Sequence, residues 1–159
     1  MIDVSFEGKP TSSANQTLIR EYLDIATNEP ENLERTMKIL TDDCVWRITP
    51  PGIEFAGKDQ LRSFAKMAMG SRSHASRYNV QIRNCFTDGE SVCIEYFHGA
   101  LATRLRIKVV ENVCLVCHMK DGKFDKINEY VDTSGSILVG FGLRLLPLMT
   151  KGTKSKPHG

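Results

Sequence analysis

Few side chains in this 159-residue chain are equipped for chemistry, and most of those few interrupt apolar runs. Cys114-Leu115-Val116-Cys117 has the C-x-x-C spacing of a zinc or redox motif. Its setting reads as a strand, in which residues three apart point to opposite faces, and no second pair completes four ligands. We therefore expect no metal site. The five cysteines, an odd number set in apolar stretches, read as small reduced hydrophobes. Proton chemistry is the better use of what remains. Val92, Ile94, Tyr96 and His98 alternate along one strand face, as do Ile127, Glu129 and Val131 along another. Glu111 interrupts a face made of Leu105, Ile107, Val109, Val113, Leu115, Cys117 and Met119. A carboxylate, an imidazole and phenols within apolar walls can transfer protons without any cofactor. A register slip of one residue would instead put Glu129 in solvent. Glu111 either faces a cavity or marks a bulge with Asn112.

The elements that must carry these residues fall into two blocks. A capping box, Ser13 to Gln16, opens a helix with Leu18, Ile19, Tyr22, Leu23 and Ala26 on one face. Asn28, Pro30 and Glu31 start a second helix carrying Leu33, Met37 and Leu40, which Asp42-Asp43 ends. A short strand, 44–49, is stopped by Pro50-Pro51-Gly52, and Gly57-Lys58-Asp59-Gln60 leads into a third helix that finishes at Gly70. Beyond Gly70 the period changes to two, with strands near 77–87, 90–100, 104–119 and 123–132. Asp88-Gly89 and Asp121-Gly122 mark hairpins between them. Helices followed by an antiparallel meander define an α+β class. The 104–119 strand would extend about 50 Å, so it must curl or bulge, with Glu111-Asn112 the expected place. A strongly bent sheet against three helices makes a hollow cone, where a ligand would sit.

Composition sets outer limits. Hydrophobic residues make up 41% and charged residues 25%, enough for one core and too ordered in pattern for a disordered chain. The net charge is +2, and Lys151, Lys154 and Lys156 hold three of the positive charges in the last nine residues. The body therefore has no basic excess for nucleic acid. The apolar stretch Ile137 to Met149 is too short to span a bilayer, and the N-terminus lacks a signal-peptide pattern, so a cytoplasmic protein is expected and membrane association is not. We read a flexible arm over 1–12, one domain over 13–136, and an apolar segment with a basic tail over 137–159. That segment fits a lid or a dimer contact.

Trp46 with Pro50-Pro51-Gly52, Gly57-Lys58-Asp59, and Asp121-Gly122-Lys123 leading to Glu129-Tyr130-Val131-Asp132-Thr133 carry a resemblance. In order and spacing they resemble the NTF2-like superfamily, within it the SnoaL-like and ketosteroid-isomerase-related branch, over about residues 14 to 136. The resemblance implies a cone-shaped α+β barrel, in which three N-terminal helices pack on a strongly curved, mostly antiparallel sheet, with an apolar pocket and a homodimer. Tyr22 falls where ketosteroid isomerases place an oxyanion-donating tyrosine. Ile48 and Leu115 stand where those enzymes carry the base and a second acid. In limonene-epoxide hydrolases an Asp-Arg-Asp group opens the epoxide, and Tyr96, His98 and Glu129 occupy the Arg, Asp and Asp positions. Glu129 is also the nearest candidate for the carboxyl that SnoaL-type cyclases need.

On that inward face the expected site is Glu129 as base, with His98 or Tyr22 donating to the oxygen that gains charge. Trp46, Ile48, Tyr96, Glu111, Val113, Leu115 and Ile127 would line it and contact the ligand. The expected activity is cofactor-independent acid–base catalysis on an apolar, oxygenated small molecule: isomerisation, cyclisation, dehydration or epoxide opening. The rival is a non-catalytic NTF2-like module that binds a small molecule or a protein.

Overall fold

The computed structural model describes residues 7–28, 32–50, 52–72, 75–102 and 107–132. In chain order these are β1 (Glu7–Gly8), α1 (Ser13–Asn28), α2 (Leu33–Lys38), β2 (Leu40–Thr49), β3 (Ile53–Ala56), α3 (Lys58–Arg72), β4 (Ala75–Thr87), β5 (Ser91–Ala102), β6 (Ile107–Lys120) and β7 (Lys123–Asp132). Among the described residues the strands form one sheet of order β1-β4-β5-β6-β7-β2-β3. The meander β4-β5-β6-β7 is antiparallel, and β2 joins it in parallel along β7. The expected α+β arrangement, helices on a mostly antiparallel sheet, is present.

Local chemistry explains the hairpins. Gly89 has φ +104, and Asp88 Oδ1 accepts the Glu90 and Ser91 amides at 3.0 and 2.7 Å. At the next turn Asp121 and Gly122 both have positive φ, 52 and 69, the left-handed pair that a two-residue hairpin requires. Helix α1 presents Leu18, Ile19, Leu23 and Ile25, all buried, to the sheet's inner residues Ile94, Leu115, Phe124 and Ile127. Arg35 of α2 reaches Glu21 and Asp24 of α1 at 2.8 and 3.0 Å, so the helix pair is clamped on its outer side.

Several sequence expectations need correction. The cap of α1 lies one residue earlier: Ser12 Oγ, not Ser13, accepts an amide, that of Asn15 at 3.1 Å. The second helix stops at Lys38, and Leu40 opens strand β2 instead of closing the helix. There Leu40 pairs with Phe124, whose amide donates to Ile39 O at 2.9 Å, a contact 85 residues away that local periodicity does not encode. The expected bulge at Glu111-Asn112 is absent. The β5–β6 register runs unbroken from Ser91↔His118 to Ala102↔Ile107, and β6 slips against β7 at His118/Met119. The described part of the N-terminal arm is tied down: Glu7–Gly8 pair with Phe86–Thr87, and Thr11 Oγ1 donates to Gly89 O at 2.8 Å. The segment 137–149 lies outside the described residues.

Candidate functional site

Strand β7 fixes the central carboxylate. Ile127 and Val131 are 1% and 7% exposed, whereas Tyr130 between them is 48% exposed. Glu129 has the parity of the buried pair, so it lies on the inner face and is half-buried. The parallel register sets Ile48 beside Glu129 and Trp46 beside Ile127. Trp46 therefore stands on the same face one pleat away, and its indole Nε1 donates to Glu129 Oε2 at 2.8 Å. The indole is itself positioned by Phe64 of α3, edge-on at 5.8 Å, and Phe64 stacks on Phe55 at 4.4 Å.

Two phenols meet from opposite layers. Tyr22 of α1 donates to Tyr96 of β5 over 3.5 Å, and its ring stands edge-on to Phe124 at 5.9 Å. Burial, then Tyr96, then the charges of Glu129 and Cys117, push the Tyr22 phenol well above its ordinary value. Tyr22 thus stays a hydrogen-bond donor at any physiological pH.

Of the other expected residues, Ile48, Leu115 and Ile127 are packed in the core at 2%, 0% and 1% exposure. Tyr96 and Val113 line a pocket of about 450 Å³ with Thr49, Pro50 and the outward-facing Arg83, Glu95, Asn112, Cys114, Tyr130 and Asp132. Trp46 and Glu129 are not among its lining. Glu111 is half-buried and keeps the face of Val113 and Leu115, because the ladder there is regular. His98 holds the ladder position opposite Glu111, and its side chain lies outside the described residues.

The C-x-x-C splits as strand geometry requires: Cys117 is 1% exposed, while Cys114 is half-buried on the other face. Burial pushes the Cys44 thiol up to about 12 and Cys117 well above its usual range, so both are chemically quiet. His118 is partly exposed and bonds Asp125 at 2.7 Å.

Sequence reading missed the link between Trp46 and Glu129. The only local signal was their shared face parity, since the parallel pairing of β2 with β7 joins segments some 80 residues apart.

Three helices on a seven-stranded, mostly antiparallel sheet define a recognisable class. The SnoaL-like domain profile matches residues 19–127, and the chain belongs to that family. An LEH-like epoxide hydrolase from M. tuberculosis superposes with a TM-score of 0.63 at 19% identity, over 89% of this chain and 99% of that one. A protein of ketosteroid-isomerase-like fold from Catenulispora acidiphila, in complex with trimethylamine, gives 0.62 at 14% identity, over 84% and 95%. An NTF2-like protein of unknown function from Burkholderia pseudomallei gives 0.63 at 16%, over 80% and 97%. No curated protein matches the sequence. These likenesses establish the NTF2-like fold. Among the described residues no helix is long and apolar enough to cross a membrane.

Proposed function

We propose that this chain is a cofactor-independent acid–base enzyme for an apolar, oxygen-bearing small molecule, of isomerase, cyclase, dehydratase or epoxide-hydrolase type. One observation carries the reading: Glu129 is held on the inner face by the Trp46 N–H, in a region that also keeps the Tyr22 phenol protonated. Glu129 takes a proton from carbon next to a carbonyl, or from a water. Tyr22, or His98, donates to the oxygen that gains charge, while Tyr96 and Glu111 help orient the ligand. A single positioned acid–base group contributes about 10²–10⁴-fold. Family membership and the epoxide-hydrolase neighbour support small-molecule chemistry. A cytoplasmic homodimer is part of this reading, and sedimentation of the purified chain tests the dimer.

The reading is tested with a panel of unsaturated ketones and alicyclic epoxides. Turnover of one class by the wild-type chain, abolished in a folded Glu129→Gln variant, supports it. Full turnover by that variant overturns it.

A second reading, a binding module without catalysis, is favoured by one observation. Ile48 and Leu115, at the positions where the isomerases carry carboxyls, are sealed in the core. A carboxylate beside aromatic rings also suits a small amine, and the C. acidiphila relative was solved with trimethylamine. Native mass spectrometry showing a retained ligand that is never turned over would select this reading.

A further inference from the structure

The outer face of the sheet carries a groove that the Glu129 chemistry does not use. Its floor is made by Tyr96, Val113 and Val131, whose side chains are buried on the inner face, so they present backbone to it. One wall is the ladder row Glu95, Cys114, Tyr130 and Thr49; the other is the row Phe97, Asn112 and Asp132. Residues two apart along a strand stand about 7 Å from each other, which leaves width for one extended chain molecule. The groove, about 450 Å³, crosses the strands from Arg83 on β4 to Thr49 and Pro50 on β2.

Charge is ordered along the second wall. The β4–β5 register shifts between Ile82 and Asn84, which makes Arg83 the extra residue of a bulge, and bulges re-aim side chains. The Arg83 guanidinium lies over the Phe97 ring, 5.9 Å from its centroid, and makes no ion pair among the described residues. That contact anchors the cation and leaves its N–H donors for a carboxylate. Asn112 follows on β6 and Asp132 on β7, both exposed. Phe97 and Asp132 are two strand spacings apart, so the positive and negative groups stand roughly 10 Å from each other with an amide between them. Glu95, on the facing wall, accepts from the Asn84 amide.

We infer that this groove binds a short zwitterion of the ω-amino-acid class, an ammonium and a carboxylate joined by a flexible chain. The ligand's carboxylate accepts from Arg83, and its ammonium donates to Asp132. Charge-assisted contacts of about 2.8 Å at each end leave roughly 4–5 Å between the ligand's own charges. An α-amino acid carries both groups on one carbon and is too short, whereas 4-aminobutanoate spans the gap. The exposed Tyr130 ring, on the same face of β7 as Asp132, gives the ammonium an aromatic contact. Both charge contacts are open to solvent, so the affinity is about millimolar and weakens with salt.

The test is an NMR titration of the isotope-labelled full-length chain with 4-aminobutanoate at low salt. The expected result is saturable shifts at the Arg83, Asn112 and Asp132 amides, with binding about three- to fivefold weaker in Arg83→Gln and in Asp132→Asn. Butanoate lacks the ammonium and glycine lacks the length, so each should bind more weakly than 4-aminobutanoate. Both variants should sediment like the wild-type chain. Glu129→Gln, altered on the other face of the sheet, should bind normally, which separates this site from the proposed catalysis. Shifts that never saturate, full affinity in both groove variants, or equal binding of butanoate overturns the site. So does loss of self-association in Arg83→Gln or Asp132→Asn, which assigns the groove to a second copy of the chain.

Discussion

The indole nitrogen of Trp46 donates to Glu129 Oε2 at 2.8 Å, joining residues 83 apart in sequence. The bond exists because β2 runs parallel to β7 in a register that puts both side chains on the inner face. A carboxylate in a partly buried, apolar setting needs such donors, and its partner loses a buried hydrogen bond if it leaves.

Trp46→Phe keeps the ring against Phe64 and removes only the N–H. We expect it to cost about 1–3 kcal/mol, with Glu129→Gln costing a similar amount. In urea unfolding, the double variant should lose less than the sum of the two singles, by about 0.5 kcal/mol or more. Strict additivity would show that the two side chains do not interact in solution.

The phenol of Tyr22 titrates above the ordinary tyrosine value because burial and the neighbouring Tyr96 and Glu129 penalise its anion. In the folded state it therefore keeps its proton where the unfolded chain loses it. Its contribution to stability is intact below about pH 10 and falls as pH rises beyond that. Alkaline titration followed at the phenolate absorbance should show one tyrosine ionising only with unfolding. Tyr22→Phe should remove that late step.

The Asp88 carboxyl lies below its usual value, held first by the Ser91 amide and then by that of Glu90. A depressed carboxyl gives stability that is present above its unfolded value of about 4 and is lost as pH falls through the folded one. NMR titration should find Asp88 ionising below 3.8. Asp88→Asn retains an acceptor oxygen, so it should flatten the acid dependence of the β4–β5 turn while leaving the hairpin formed.

Gly8 has φ +103, and a Cβ there would collide with the Thr87 carbonyl oxygen, which is backbone and cannot swing away. Gly8→Ala should release β1 from β4 and destabilise the chain by about 1–3 kcal/mol. Gly52→Ala is the control: its φ is +83 and nothing lies within 4 Å of the added carbon, so only the backbone strain, about 1 kcal/mol, should appear in the melting temperature.

Much of this protein is written locally. The period-two runs of β4 to β7, the Asp-Gly turns and the apolar stripe of α1 follow from side-chain spacing and backbone preference, which act within a few residues. The same alternation placed Tyr96 and Glu129 on the faces they occupy. Other features rest on pairing between distant segments. Leu40 had helical spacing but pairs with Phe124, Glu111-Asn112 had bulge composition but sits in a regular ladder, and the Trp46–Glu129 bond and the Phe97–Asn112–Asp132 row depend on register. Local sequence sets which way a side chain points along its own strand. Which side chain it meets is set by inter-strand hydrogen bonding and by the packing of α1 and α3 over the sheet, and those energies are shared between segments that no single stretch contains.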